Sequence, residues 1–131
     1  MPQIKIKLSL FKSKENKIEK DIFKDANFWL SKGLLIQTKG VVDNPSAEVN
    51  SAALDYYLSG VKIDPRHYGC VYNAACSYFN DGKFTNALKW FEIASKIDPQ
   101  SQDSHFGKSV TCLKLGQYSE ALEVCEKIKS L

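Results

Sequence analysis

A chain of 131 residues with 44% hydrophobic content can bury one core, and no stretch in it approaches the roughly 18 apolar residues of a membrane span. The net charge of +3 is unevenly placed, with nine lysines against four acids in residues 1–40 and a slightly acidic remainder. Arg66 is the only arginine, which argues against a nucleic-acid partner, because phosphate and base readout recruit the bidentate guanidinium fork.

Residues 1–13 read as an arm separate from the rest. Ile4, Ile6, Leu8 and Leu10 alternate with Lys5, Lys7 and Ser9, the period of a half-buried strand. The helical remainder offers such a strand no sheet, so the arm is expected to be extended or disordered, to pair with another chain, or to lie along this chain's own surface. Lys5, Lys7 and Lys12 interrupt the apolar run that a secretory signal would need, and a cytoplasmic location is expected. From Ser13 the pattern turns helical. Ile18, Ile22, Ala26, Trp29, Gly33 and Ile36 recur at spacings of three and four to about Lys39, with Gly40 read as a turn and Val41 to Pro45 as a loop. Asn44 is then the N-cap, and Pro45 the first residue, of a helix reaching Lys62, which the Asp64-Pro65 pair stops.

Beyond this point the chain repeats itself. Gly82-Lys83-Phe84-Thr85-Asn86-Ala87-Leu88 returns 34 residues later as Gly116-Gln117-Tyr118-Ser119-Glu120-Ala121-Leu122, and Ile63-Asp64-Pro65 returns at the same offset as Ile97-Asp98-Pro99. A period in the thirties with helical patterning inside it implies stacked helix pairs, each burying its apolar face only against its neighbours. The helical domain, residues 14–131, divides into a divergent unit over about 14–67, a repeat over 68–101 and a partial repeat over 102–131. Ala53, Gly60, Ala75, Ala87, Ala94 and Ala121 supply the small side chains that let helix axes approach where they cross. In the first unit Gly33 lies 20 residues before Ala53, whereas Ala75 lies 12 before Ala87, so eight extra residues fall in its connection.

The residues at these positions resemble the tetratricopeptide repeat family. Val71, Ala74, Ala75 and Tyr78 match the first helix of its motif, Gly82 and Phe84 the turn, and Ala87, Phe91, Ala94 and Pro99 the second helix and its stop. The resemblance covers roughly residues 28–131 and implies an all-α fold, a short right-handed solenoid of about three units. It also implies that function resides on the concave face formed by the first helices. There Tyr72, Asn73, Cys76, Phe79 and Asn80 are followed by Phe106, Val110, Leu113 and Lys114, a groove suited to a segment of a protein partner. Family members that grip acidic chaperone tails use a clamp of lysines, an arginine and asparagines. Only Asn73 matches it here, while Asp103, Gly107, Leu30 and Leu34 occupy other clamp positions, so binding of such a tail is not expected.

Nothing in the sequence has the pattern of catalysis: no glycine-rich phosphate loop follows a strand, and no nucleophile has a histidine and carboxylate at recognisable spacing. His67, Cys70 and Cys76 are the nearest approach to a ligand cluster. No C-x-x-C pair accompanies them, so neither metal nor cofactor is expected, and the four cysteines read as reduced, small hydrophobes. The last helix carries Leu122, Cys125 and Ile128 on a face expected to pack on a further helix, a second copy or a partner. Two functions fit: a non-catalytic adaptor that takes a partner segment in its groove, and an obligate structural subunit or N-terminal scaffold fragment of a larger complex, enzymatic complexes included.

Overall fold

Each hairpin is closed by the same local chemistry. The computed structural model describes residues 25–43 and 47–131, which form six helices: α1 Ala26–Asp43, α2 Ala47–Ile63, α3 Tyr68–Asn80, α4 Phe84–Ile97, α5 Gln102–Lys114 and α6 Tyr118–Lys129. α3 ends where Gly82 takes φ +75°, and the Lys83 amide donates back to the Tyr78 carbonyl at 2.9 Å. α5 ends identically. Gly116 has φ +75° and the Gln117 amide reaches the Cys112 carbonyl at 2.8 Å. This six-to-one closure uses the left-handed conformation that glycine adopts without steric penalty, and it satisfies a carbonyl the helix leaves open.

The elbows between hairpins are equally alike. The Asp64 and Asp98 amides donate the last helical hydrogen bonds of α2 and α4 to the Gly60 and Ala94 carbonyls, at 2.9 and 3.0 Å. Their carboxylates then accept the amides of Arg66 and Gln100, both at 3.1 Å, across the proline that ends each helix. α3 starts on His67, whose Nδ1 accepts the Cys70 amide at 3.2 Å while its other ring nitrogen, Nε2, donates to the Asn27 Oδ1 at 2.7 Å. That pair of bonds fixes the tautomer and ties α3 to the start of α1.

Among the described residues each helix packs on the next, and the first helices also touch one another, α1 with α3 and α3 with α5. The core follows this succession. Ala53, Tyr57 and Ala74 form one cluster with Leu30, Leu54, Leu58 and Trp90, while Ala75, Ala87 and Phe91 form a second with Tyr72, Cys76, Tyr78, Phe79 and again Trp90. Trp90 thus links the two. Ala53, Ala75, Ala87 and Ala94 have no exposed surface and Ala121 has 3%. Gly60 is closely packed, since a Cβ there would lie 2.4 Å from the Cys70 sulfur and 3.3 Å from the Ala26 carbonyl oxygen. Cys70 donates its thiol to that same carbonyl at 3.5 Å, so three helices meet at one point.

The first hairpin departs from the reading of its sequence. α1 continues through Gly40 to Asp43, so neither the turn at Gly40 nor the loop from Val41 to Asp43 forms. A lone glycine weakens a helix by about 1 kcal/mol without ending it, and the first helix-stopping residue after Trp29 is Pro45. The eight extra residues lengthen both helices: α1 runs five residues further past Gly33 than α3 runs past Ala75, and α2 starts three residues further ahead of Ala53 than α4 does ahead of Ala87. Asn44 and Pro45, and with them the proposed N-cap, lie outside the described residues, as do the arm of residues 1–13 and the helical pattern from Ser13 to Lys24.

Candidate functional site

The face lined by the first helices divides into an inner, occupied part and an outer, open part. On α3, Tyr72 stacks on Tyr68 at 5.7 Å between ring centroids and meets Phe91 edge to face at 5.9 Å. Phe91, 3% exposed, fills the space under α5 that Gly107 leaves, where a Cβ would sit 2.4 Å from its ring. Tyr72, Phe91 and Gly107 therefore form a solid floor between α3 and α5. Phe79 lies edge to face against Phe84 at 5.2 Å, and the Asn73 amide donates to its own helix at the Gly69 carbonyl, 2.7 Å away. Three of the sequence-derived groove residues, Tyr72, Phe79 and Asn73, are thus partly engaged within the chain.

The open part belongs to α5. Phe106 is 64% and Leu113 52% exposed, with Val110 half-buried between them and Lys114 and Asn80 at the exposed rim. These side chains project at spacings of four and three, a single stripe along the helix. On the opposite side of α5, Ser104, His105, Ser109, Thr111 and Cys112 are buried, with the His105 Nε2 against the Pro99 carbonyl at 2.9 Å and Thr111 donating to Gly107 at 2.7 Å. Their polar atoms are all satisfied, as are those of every buried side chain among the described residues.

Burial controls the titrating groups here. It pushes the Tyr72 phenol well above its usual range, helped by Cys76, Asp103 and Tyr68, and it raises the Cys76 thiol with a further contribution from Asp103. Burial likewise holds Cys70 at about 11 and keeps Cys112 raised. Thiols held protonated in this way are poor nucleophiles and poor metal ligands. Among the described residues no group of three or more His, Cys, Asp or Glu converges on a point where an ion could sit, and no helix is long and apolar enough to cross a membrane.

Away from this face, a polar relay joins the first two hairpins. Tyr57, wholly buried, donates its phenol to Gln37 Oε1, the Gln37 amide reaches the Ser77 hydroxyl at 3.5 Å, and Asn50 donates to the Ser77 carbonyl at 2.8 Å. The partners lie 20 to 40 residues apart, so no local signature announces them. At the other end of the molecule, α6 turns Leu122, 68% exposed, Tyr118, 66% exposed, and the exposed Cys125 outward, with Ile128 half-buried.

Hairpins closed by positive-φ glycines, elbows of Asp-Pro, and crossings of alanine and glycine define an all-α helical-repeat protein. The chain belongs to the tetratricopeptide repeat family, and its residues 61–128 match the family described as anaphase-promoting complex, cyclosome, subunit 3. It is 30% identical to human Superkiller complex protein 3 over 94 residues, 72% of this chain and only 6% of the length of that relative. Among solved structures, the second TPR of Spaghetti (RPAP3) bound to the HSP90 peptide SRMEEVD superposes with a TM-score of 0.72 at 19% identity, covering 83% of this chain and 94% of the other. The TPR2B domain of yeast Sti1 in complex with pHsp70 superposes with a TM-score of 0.66 at 17% identity, covering 78% of each chain.

Proposed function

We propose that this chain is a non-catalytic adaptor that takes a segment of another protein on the face of its first helices, through the stripe Phe106, Val110 and Leu113 with Lys114 and Asn80 at its rim. The observation that carries the reading is the exposure of Phe106 and Leu113 beside a floor, Tyr72, Phe91 and Gly107, that is already packed and cannot collapse onto them. Cys76 contributes apolar surface at the edge of that floor, and Asn73 offers a remaining acceptor oxygen. The Spaghetti domain is bound to an HSP90 peptide and the Sti1 domain is in complex with pHsp70, which supports a polypeptide as the ligand class here. Selection of phage-displayed peptides on the full chain tests it. Selected peptides should lose at least about tenfold in affinity on Phe106→Glu with Leu113→Glu and stay within about twofold on Leu122→Glu. Peptides indifferent to the first pair would refute the reading.

A second reading has its own support. The outward face of α6, with Tyr118, Leu122 and Cys125 exposed, has the character of a surface that a further helix pair would cover, and a relative carries the word complex in its name. On this reading the chain is an obligate structural component whose α6 face is permanently covered in an assembly. Sedimentation at micromolar concentration distinguishes the two: a monodisperse monomer favours the adaptor, while self-association abolished by Leu122→Glu favours the component.

A further inference from the structure

The open stripe on α5 begins at a carboxylate that no cation among the described residues neutralises. Asp103 is exposed in the first turn of α5, three residues ahead of Phe106, and has no ion-pair partner among the described residues. Two other carboxylates are matched: Asp81 with Lys83 at 3.4 Å and Glu92 with Lys108 at 3.7 Å. The second of these pairs also engages Lys108, the cation nearest to Asp103 along α5. Lys114 stands at the far end of the same helix.

The field of Asp103 falls on the groove side of α3. Three residues ahead of Phe106, Asp103 shares that ring's face of α5, and its charge contributes to raising both the Tyr72 phenol and the Cys76 thiol. The stacked rings of Tyr68 and Tyr72, 5.7 Å apart and within 8° of parallel, are anchored beside it, because the Tyr68 hydroxyl is hydrogen-bonded to Ser101 at the cap of α5, 2.5 Å away. A carboxylate without an ion-pair partner among the described residues, two residues from the Ser101 anchor of the stacked phenol rings and on one helix face with the exposed ring of Phe106, is a cation site in its chemistry. The carboxylate supplies charge-assisted hydrogen bonding, and the ring faces supply quadrupole attraction for ammonium or guanidinium. The same arrangement repels a carboxylate-rich segment such as the SRMEEVD peptide held by the Spaghetti domain.

Resting on the groove reading above, we propose that the segment this face takes carries a lysine or arginine, held by Asp103 and the rings of Tyr72 and Phe106, next to an aliphatic residue seated on Val110 and Leu113. Asp103 is then the residue that selects the partner by charge, and the apolar stripe supplies the contact area.

The test uses the full chain and a positional-scanning library of blocked octapeptides, each pool holding lysine, arginine, glutamate or norleucine at one fixed position. The lysine and arginine pools should bind about tenfold more tightly than the glutamate pools at low salt, with the gap narrowing at 0.5 M NaCl. In Asp103→Asn the gap should fall to within about twofold, and in Asp103→Lys it should invert, with helical content and norleucine binding unchanged in both. Pools that bind through Phe106, as judged by loss in Phe106→Ser, yet show no preference for a basic residue or keep that preference in Asp103→Asn, overturn the charge assignment and leave the groove. Enrichment of glutamate does the same. Binding indifferent to Phe106→Ser, or no binding by any pool, overturns the groove reading and the charge assignment together.

Discussion

Residues at matched positions of the second and third hairpins meet opposite fates. Phe84, Leu88 and Phe91 on α4 are half-buried or buried, Phe91 to 3% exposure, whereas their counterparts 34 residues on, Tyr118, Leu122 and Cys125 on α6, all lie open to solvent. The backbone geometry, the turn glycine and the alanine at the crossing are the same in both. Burial in a stacked array is therefore conferred by the next hairpin rather than by the position's own residue, and an apolar side chain on the outer face carries no stabilising energy until something covers it.

This contrast can be broken most forcefully at the inner end. Tyr57→Ala removes a wholly buried ring and the first donor of the Gln37 relay, and it should lower unfolding free energy by about 3–5 kcal/mol in urea titration, while Tyr118→Ala on the outer face should change it by less than about 0.5 kcal/mol. A comparable loss at both would mean that α6 is not an outer face. Next comes Gly107→Ala. The added methyl would stand 2.4 Å from the ring of Phe91, which is 3% exposed, so a cost of about 1–3 kcal/mol is expected in the same titration.

Alkaline pH sharpens the comparison chemically. Burial, aided by neighbouring thiols, raises the Tyr57 phenol to about 12 from an ordinary 10, and burial raises Cys70 to about 11 from 9, so both are bound more tightly to their protons in the folded chain. Stability from these groups is complete below the unfolded values near 9 and 10 and is lost as pH rises through 11 and 12. A fall in urea midpoint should thus begin near pH 9, and Cys70→Ala should remove the earlier part of it. A flat midpoint from pH 8 to 11 would contradict the burial of these groups. The smallest effect expected is at the turns: Gly82→Ala and Gly116→Ala should cost about 1 kcal/mol each, and equally, because both glycines have φ +75° with no atom within 4 Å of an added Cβ. Unequal losses would mean that one turn is held by more than its backbone.

What the sequence made legible was whatever is fixed locally. Gly82 and Gly116 mark positive-φ closures, Asp64-Pro65 and Asp98-Pro99 mark elbows, and the offset of 34 links them, because each device acts within a few residues of itself. The first hairpin misleads for the same reason. Gly40 has the residue type of a turn, yet helix continuation is decided by several residues together, and the surplus length went into α1 and α2. The relay from Tyr57 to Gln37 and Ser77 was invisible in one dimension. In the candidate site, the identities of the facing residues could be read from helical periodicity. Which of them were already engaged could not: Tyr72 and Phe79 meet rings of the neighbouring helix α4, Asn73 turns back to its own helix, and Asp103 has no ion-pair partner among the described residues.

The most direct test of the central claim is a map of amide chemical-shift changes when a selected octapeptide is titrated into isotopically labelled chain. The largest changes should fall on α3 and α5 around Tyr72, Cys76, Phe106, Val110 and Leu113, with little change on α2, α4 or the outward side of α6. Changes centred on Tyr118, Leu122 and Cys125 instead would contradict the account and move the binding surface to the open end of the array.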